Sequence, residues 1–347
     1  MSLKFMAIGD IHIADRHMSI TEEALSETLK IAAKFESQIQ FIVVMGDILD
    51  RHKSINMFHL KKAVDFLQSL AKIKSTFVLI GNHDRPSNKD FMSGVHPFVG
   101  INCHNLVIVS SPRSFVFTVQ GVNHNLLFMP YLPPGRFIEA FNTYANAAIT
   151  AGKWKTKLSI KDFSLIFAHQ EFKGAPIGPI RSVNGDDWPS EYPMVISGHI
   201  HCRVRLPNEK GNIYYTGSLY PVTFSEGTSK GALICQYEVN SKNLHVDVWR
   251  TVKSMKVIKS VDAKDSIAVL DMLSMDRENT KYVISGTADE ISSVKEKVLK
   301  SGKKLNIGYD ICIADSVSDI PDETFDQILA KMIDKPNIKR VFERLQV

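Results

Sequence analysis

Five short motifs of this chain place aspartate, asparagine or histidine directly after an apolar run. They are GDIHIAD at 9–15, GDILD at 46–50, GNHD at 81–84, AHQ at 168–170 and GHIH at 198–201. The preceding runs are short and rich in β-branched residues, as strands buried on both faces are. Helical patterns separate the first three runs, which predicts a sheet built by right-handed crossovers. The motifs should therefore meet at the carboxyl ends of its strands, where such a sheet holds its ligand.

The rest of the first 250 residues predicts a second sheet. Helices are expected at 20–37, 56–73 and 137–151, further strands at 106–111, 114–121, 125–129, 163–169 and 192–199, and hairpins at 203–216 and 231–251. The predicted class is α/β, a sandwich of two mixed sheets flanked by helices. The loop at 171–190 is rich in glycine and proline and is long enough to be functional.

The pattern changes near residue 252, where lysines follow one another closely. We expect one domain over 1–252, a small α+β cap domain over 253–320 and a short helical C-terminus over 321–347. The cap domain alternates strand and helix patterns, with helices expected at 263–274 and 289–301. In the C-terminal segment, apolar residues recur at helical spacing on both sides of Lys335 and Pro336, which predicts two short helices.

Composition bounds the class of protein without selecting a function. Hydrophobic residues make up 44% of the chain and charged residues 23%, and no window of eighteen apolar residues occurs, so we expect a soluble protein with no membrane partner. The start lacks a secretory pattern and the four cysteines lack CxxC spacing, which suits an intracellular site: cytoplasm, nucleoid or, for a viral protein, the host cell. The net charge of +5 is compatible with a polyanionic partner but does not establish one.

Seven side chains of the motifs are predicted metal ligands. They are Asp10, His12, Asp47, Asn82, His169, His199 and His201. The first two and the last two are each two positions apart in an extended segment, so each pair points to one side of it. The other three each end a predicted strand. Carboxylate, amide and imidazole donors suit Mn²⁺, Fe²⁺ or Zn²⁺, and the missing thiolates argue against a closed structural zinc site, with Cys202 the less favoured extra ligand.

Seven donors are too many for one ion but suit two ions that share a carboxylate, roughly 3.5–4 Å apart. Such a pair binds a phosphoryl group and activates water for in-line attack, so hydrolysis of a phosphate ester is the predicted chemistry. His83 is the predicted catalytic histidine outside the ligand set, stabilising charge or protonating the leaving oxygen, and Asp84 beside it is expected to fix its tautomer. The alternative for His83 is a turn residue.

Together the five motifs resemble the calcineurin-like metallophosphoesterase superfamily, over roughly residues 3–250. Weaker matches, PYLP at 130–133 and YTGSLYPVTFSEGTSKG at 215–231, are similar to its DNA-repair branch, the SbcD and Mre-eleven nucleases, including the phage recombination endonuclease nuclease subunit. Leu219 stands where that stretch usually has proline, and Asp50 stands where cellular members often have a histidine that positions phosphate. These departures concern substrate preference more than catalysis.

The resemblance implies how the ligands divide. One ion would be held by Asp10, His12, Asp47 and His201, and the other by Asp47, Asn82, His169 and His199. Mn²⁺ is the ion implied first, with Mg²⁺, Fe²⁺ and Zn²⁺ as alternatives. The implied substrates are double-stranded DNA ends, single strands and hairpins, and the implied partners are an SbcC-type coiled-coil ATPase and a second copy of the chain.

Three further predictions concern surfaces. Arg51, His52 and Lys53 follow the second motif and would meet the DNA backbone, or they form a solvated loop. The apolar stripe from Phe325 to Leu345 would bind the ATPase, or it packs on its own domain. Ile55, Phe58 and residues 90–104 would contribute to a dimer interface.

Rival functions remain open at this point. GDILDR resembles the Gly-Asp-x-Val-Asp-Arg motif of calcineurin-type protein phosphatases, but His52, Asp84 and Ile13 stand where that class has glycine, glutamate and glycine. A small-nucleotide phosphodiesterase is a second rival. A non-catalytic DNA-binding scaffold with a decayed site is a third, and the intact set of ligand residues and His83 argues against it.

Overall fold

The computed structural model describes residues 2–52, 54–154, 157–224, 226, 229–253, 257–265, 268–269, 272, 280–302 and 306–311. These residues form two compact units, and the chain passes from the first to the second between Val257 and Ile258, with Thr280 also assigned to the first. The two helices predicted within 321–347, most of the helix predicted at 263–274, and Lys53 lie outside the described residues.

The first sheet of unit one has six strands in the order β14-β13-β1-β2-β3-β4. Their bounds are β1 Ser2–Ile8, β2 Phe41–Val44, β3 Thr76–Leu79, β4 Leu106–Val109, β13 Ala232–Glu238 and β14 Asn243–Trp249. The four strands β1 to β4 are parallel, and β13 and β14 continue the sheet antiparallel beyond β1. The carboxyl ends of β1, β2 and β3, each followed by one of the first three motifs, therefore share one edge.

The second sheet has the order β11-β12-β10-β7-β6-β5. Its strands are β5 Arg113–Val119, β6 Val122–Met129, β7 Leu165–His169, β10 Val195–Gly198, β11 Val204–Leu206 and β12 Ile213–Tyr215. Again four central strands are parallel, β6, β7, β10 and β12, with an antiparallel strand at each edge. The long loop predicted at 171–190 carries a small hairpin of β8 Pro176–Ile177 and β9 Ile180–Arg181.

One strand assignment was wrong: the hairpin at 231–251 belongs to the first sheet. Its β13 pairs with β1 from Ser2 opposite Glu238 to Ala7 opposite Leu233. The physical reason is that β1 is buried on both faces and would otherwise leave its backbone groups unpaired at an edge. Alternation along a strand shows which residues are buried but not which sheet the strand joins. The strand at 106–111 likewise ends the first sheet as β4.

The core between the sheets is largely aromatic. Side chains from the inner faces of both sheets meet there, with Phe5 and Phe41 stacked at 5.3 Å from the first sheet, and Phe128 and Phe167 stacked at 4.9 Å from the second. Phe5 also meets Phe167 edge-on at 5.1 Å, which joins the two faces. Stacked and edge-on ring pairs of this kind each stabilise the core by roughly 0.5–1.5 kcal/mol beyond the burial of their apolar area.

Helices cover the outer faces. They are α1 Met18–Phe35 and α2 Met57–Ile73 on the first sheet and α3 Phe137–Thr150 on the second. Asn56 caps α2, because its side chain accepts a hydrogen bond from the Phe58 N–H at 2.8 Å. This arrangement confirms the predicted α/β sandwich of two mixed sheets flanked by helices. None of the helices in the described ranges combines the length and apolar character needed to cross a membrane.

The second unit holds a three-stranded sheet in the order β15-β16-β17. Its elements are β15 Val257–Asp262, β16 Thr280–Gly286, α4 Ala288–Lys300 and β17 Asn306–Ile311. Strands β16 and β17 run parallel on either side of α4 in the chain. A capping box of Thr287 and Glu290 begins α4, and Val294 of this helix packs on Tyr282 and Ile284 of the sheet.

Candidate metal centre

All seven predicted ligands lie at the carboxyl-end edge of the two sheets. Four of them follow or end the parallel strands of the first sheet, and three follow or end β7 and β10 of the second. Asp10 and His169 have no exposed surface, and Asp47 and His12 are 1% and 2% exposed. Because isolated charges are expensive to bury, this cluster needs compensating charge.

Asp47 lies between two groups of donor atoms. On one side its Oδ2 is 3.7 Å from Nε2 of His12, whose Nε2 is 2.9 Å from Nε2 of His201. On the other side its Oδ1 is 3.4 Å from Nε2 of His169. A single carboxylate thus presents one oxygen to each group.

Asn82 completes the second group. Its Oδ1 is 2.8 Å from Nδ1 of His199 and 3.1 Å from Nε2 of His169. Ligands about 2.0–2.2 Å from a common ion lie roughly 3 Å apart when they subtend a right angle. The His12–His201 distance of 2.9 Å and the two Asn82 distances fit that value, while the Asp47 oxygens lie farther from their histidines, at 3.7 and 3.4 Å.

Asp10 has the environment that most clearly suits a metal ligand. Its Oδ1 accepts a hydrogen bond from the His199 backbone N–H at 3.1 Å and lies 3.5 Å from Nδ1 of His169. Its Oδ2 is buried and has no hydrogen-bond partner among the described residues. An unsatisfied carboxylate oxygen is costly unless a cation sits beside it, so the residues present fit divalent metal ions.

Backbone contacts fix which ring nitrogens face the centre. Nδ1 of His169 donates to the Met45 carbonyl oxygen at 2.6 Å, and Nδ1 of His83 donates to the Asp50 carbonyl oxygen at 2.8 Å. A carbonyl only accepts, so each ring is protonated at Nδ1 and directs Nε2 elsewhere.

The charges of the cluster are mutually dependent. Burial disfavours the imidazolium of His169, but the Asp47 and Asp10 carboxylates outweigh burial and raise its pKa to about 9. Burial alone would raise the pKa of Asp47, yet the charge and hydrogen bond of His169 hold it well below its usual range. A proton on His169 therefore balances the carboxylates, and a bound divalent ion would displace it.

His83 borders the first group. Its backbone N–H donates to Asp47 Oδ1 at 2.8 Å, and its ring lies edge-on to His12 with centroids 4.8 Å apart. A ring nitrogen of His83 is within 4.8 Å of donor atoms of His12 and Asp47. With Nδ1 occupied by Asp50, Nε2 is the atom available to a substrate.

The role predicted for Asp84 was wrong. Its Oδ1 accepts from the backbone N–H groups of Ile48 and Leu49, both at 3.0 Å, and its Oδ2 accepts from Gly81 at 3.1 Å. It therefore braces the loop that carries Asp47, while the Asp50 carbonyl sets the tautomer of His83. Burial and the neighbouring Asp47 raise the pKa of Asp84 to about 7. The prediction relied on Asp84 being the neighbour of His83 in the sequence. The actual partner is a backbone carbonyl, which any residue could supply and which the sequence therefore does not reveal.

Two glutamates beside the centre were missed. Glu226 Oε1 accepts from Nδ1 of His201 at 2.9 Å, and Glu171 Oε2 lies 3.8 Å from Nε2 of His199. The only signal for Glu226 was its place in the stretch 215–231, and Glu171 directly follows the AHQ motif.

The predicted DNA-contacting loop borders the same region. His52 stacks on His83 with ring centroids 4.4 Å apart, and Arg51 lines a cavity of about 410 Å³ together with Arg16 and Asp50. Arg16 donates to Asp50 Oδ1 at 2.8 Å. Lys53 is outside the described residues. Cys202 is exposed, and no described cysteine joins a group of possible metal ligands.

Asp47 packs so closely against Gly81, in the third motif, that no side chain fits at that position. A Cβ on Gly81 would lie 2.2 Å from Asp47 Oδ1 and 2.3 Å from its backbone nitrogen. Gly81→Ala is therefore expected to displace Asp47 and weaken binding of Mn²⁺ at least tenfold, measured by calorimetric titration. Gly94→Ala, at an exposed position with no atom within 4 Å of the added methyl group, is the matched control. Equal affinities of the two variants for Mn²⁺ would contradict the interpretation that Gly81 is needed to keep Asp47 in place.

A mixed α/β sandwich with such a donor cluster at its carboxyl-end edge defines a metal-dependent hydrolase. Residues 3–203, more than half of the chain, match the calcineurin-like phosphoesterase family. The chain belongs to that family, and it is a metal-dependent phosphoester hydrolase.

Two viral proteins are similar over most of their lengths. "Putative phosphoesterase 244L" of Invertebrate iridescent virus 6 is 31% identical over 84% of this chain and 97% of its own length. "Putative phosphoesterase 078R" of Invertebrate iridescent virus 3 is 32% identical over 83% of this chain and 78% of its own. Among solved structures, GAP50, the anchor in the inner membrane complex of Plasmodium, is 13% identical with a TM-score of 0.42, covering 80% of this chain and 96% of that one. A likeness at this level does not extend to function.

Proposed function

We propose that this protein is a two-metal, Mn²⁺-dependent DNA nuclease of the SbcD and Mre-eleven type. One ion would be held by Asp10, His12, Asp47 and His201, and the other by Asp47, Asn82, His169 and His199. The observation that carries the two-ion assignment is the position of Asp47, with one oxygen toward each donor group.

The ions, once bound, supply charge neutralisation at the phosphoryl group and activation of water. The residues of the chain do the rest. His83, held at Nδ1 by the Asp50 carbonyl, presents Nε2 to the substrate. Acting as an imidazolium protonated on both ring nitrogens, it donates its Nε2 proton to the leaving oxygen as the bond from that oxygen to phosphorus breaks, and it is left as the neutral ring protonated at Nδ1. His52 stacks on the His83 ring and limits its rotation. Asp84 holds the backbone of the Asp47 loop so that both carboxylate oxygens keep their directions.

A diester substrate is supported by a cavity that borders Asp50, the residue whose carbonyl oxygen accepts from Nδ1 of His83. A phosphodiester carries a second organic group that a monoester lacks, and the cavity of about 410 Å³ next to Asp50 is large enough for one nucleotide unit. Arg51 lines it and supplies positive charge for a flanking phosphate, whereas Arg16 in the same lining is paired with Asp50. The resemblance of 130–133 and 215–231 to the DNA-repair branch supports the same substrate class.

The proposed assembly follows from that resemblance. An SbcC-type ATPase would bind the segment 321–347, and the small second unit would guide DNA. A second copy of the chain would pack against the exposed start of α2, where Phe58 is 82% and Met57 74% exposed. Large apolar side chains this exposed favour a partner surface.

The test compares substrate classes. Labelled linear, single-stranded and hairpin DNA, para-nitrophenyl phosphate and a phosphopeptide are incubated with Mn²⁺ or Mg²⁺, and with chelator as the control. We expect Mn²⁺-dependent cleavage of DNA that chelator abolishes. Turnover of the phosphopeptide or the small ester without DNA cleavage would contradict the nuclease and favour a phosphatase. Absence of any metal-dependent hydrolysis would favour the scaffold.

A further inference from the structure

The stretch 215–231 places a glutamate and a lysine on one of the proposed metal ligands. Glu226 and Lys230 have side chains only 8% and 4% exposed, and their charged atoms are 2.8 Å apart. Both contact His201, which lies 25 and 29 positions earlier in the chain. Nothing in the mechanism above uses either residue.

Glu226 is saturated with donors. Its Oε1 accepts from Nδ1 of His201 at 2.9 Å and from the backbone N–H and hydroxyl of Thr223 at 3.1 and 3.2 Å. Its Oε2 accepts from Lys230 Nζ at 2.8 Å, Ser218 Oγ at 2.9 Å and the Val222 N–H at 3.2 Å. Every one of these partners is a hydrogen-bond donor, so the site suits a carboxylate. A glutamine here would place its NH₂ group, which only donates, against at least one of these donors.

Lys230 holds the backbone of the same histidine. Its Nζ donates to the His201 carbonyl oxygen at 2.5 Å, to Ser218 Oγ at 2.8 Å and to Glu226. The Ser218 backbone N–H donates to that carbonyl as well, at 3.1 Å. The buried ion pair therefore holds His201 at two points: Glu226 binds its ring, and Lys230 binds its backbone carbonyl.

We propose that Glu226 and Lys230 are positioning residues that lock His201 with Nδ1 protonated and Nε2 directed at His12, and so set the metal affinity of the first donor group. A carboxylate on the far nitrogen fixes the tautomer of a ligating imidazole and raises its basicity. The inference rests on the proposed function in assigning His201 to an ion.

The effect should be confined to one of the two ions. Among the four histidines proposed as ligands, His201 has a carboxylate within hydrogen-bond distance of its far nitrogen. Nδ1 of His169 donates to the Met45 carbonyl at 2.6 Å and lies 3.5 Å from Asp10, itself a proposed ligand. Nδ1 of His12 is 3.6 Å from Asp50, and Nε2 of His199 is 3.8 Å from Glu171. Loss of Glu226 therefore leaves the contacts of the second donor group intact.

The experiment is a titration of the full chain with Mn²⁺, followed by calorimetry and by electron paramagnetic resonance. Wild type is expected to bind two ions with a spin-coupled spectrum. Glu226→Gln should keep one ion at wild-type affinity, bind the other 10- to 100-fold more weakly, and show the six-line spectrum of an isolated ion. Glu36→Gln, at an exposed position on the surface, is the matched control.

Two ions at wild-type affinity in Glu226→Gln would overturn the positioning role of Glu226 and Lys230 while leaving the proposed function standing. No Mn²⁺ binding by wild type would overturn both. Should Glu226→Gln fail to fold, nitrogen-15 NMR spectra of the wild-type histidines provide the test, because they show which ring nitrogen of His201 carries the proton. We expect His201 protonated at Nδ1 in the metal-free chain. Protonation at Nε2 alone would contradict the proposal.

Discussion

Replacing Asp47 with asparagine is expected to lower Mn²⁺-dependent hydrolysis by on the order of 10³-fold or more and to remove coupled metal binding. An amide offers one oxygen, so it can serve only one of the two donor groups that the Asp47 oxygens face at 3.7 and 3.4 Å. Its nitrogen would face a histidine of the other group. Turnover at saturating Mn²⁺ and the number of ions bound per chain are the quantities to measure.

Asp65→Asn is the matched control for this substitution, because Asp65 is exposed on α2 and pairs with Lys61 at the surface. It should retain wild-type turnover and both ions. If Asp47→Asn also bound two coupled ions and hydrolysed DNA at the wild-type rate, the shared carboxylate would be refuted.

The second large effect is expected for His83→Gln. General acid catalysis contributes roughly 10²–10⁴-fold, so turnover should fall by that factor while both ions remain bound. The reason is that His83 reaches the centre through its backbone N–H, which donates to Asp47 Oδ1 and which glutamine keeps. A substrate with a good leaving group, such as a para-nitrophenyl diester of thymidine, should be affected less, because its leaving oxygen needs no proton.

His104→Gln, at an exposed position outside the centre, controls for the loss of an imidazole. The number of bound ions separates the two possible roles of His83, since one of its ring nitrogens lies within 4.8 Å of donor atoms of His12 and Asp47. Loss of an ion in His83→Gln would make it a ligand, and unchanged turnover would exclude it from catalysis.

The position of the centre could be predicted because it depends on strand ends. Asp47, Asn82 and His169 follow apolar runs too regular to be accidental, and parallel strands bring their carboxyl ends to one edge. The spacing of His199 and His201 adds donors to the same edge. The position of the centre therefore follows from two facts: each ligand lies next to a strand end in the sequence, and parallel strands end at the same edge of a sheet.

Contacts made by loops could not be predicted in the same way. Glu226 contacts His201 from an irregular segment, and the path of such a segment cannot be predicted from periodic sequence patterns. The partner of His83 is a backbone carbonyl, which any residue at position 50 would supply. Asp84 was adjacent to His83 in sequence, yet its carboxylate turns to three backbone N–H groups. The sheet joined by 231–251 depended on an unpaired edge of β1, which is a property of the fold and not of that segment.

The most direct test of the central claim is a crystal structure of the full chain grown with Mn²⁺ and measured for anomalous scattering. Two anomalous peaks roughly 3.5–4 Å apart, with an Asp47 oxygen on each, are the expected result. A single peak, or two peaks that do not share Asp47, would contradict the two-metal centre on which the proposed nuclease depends.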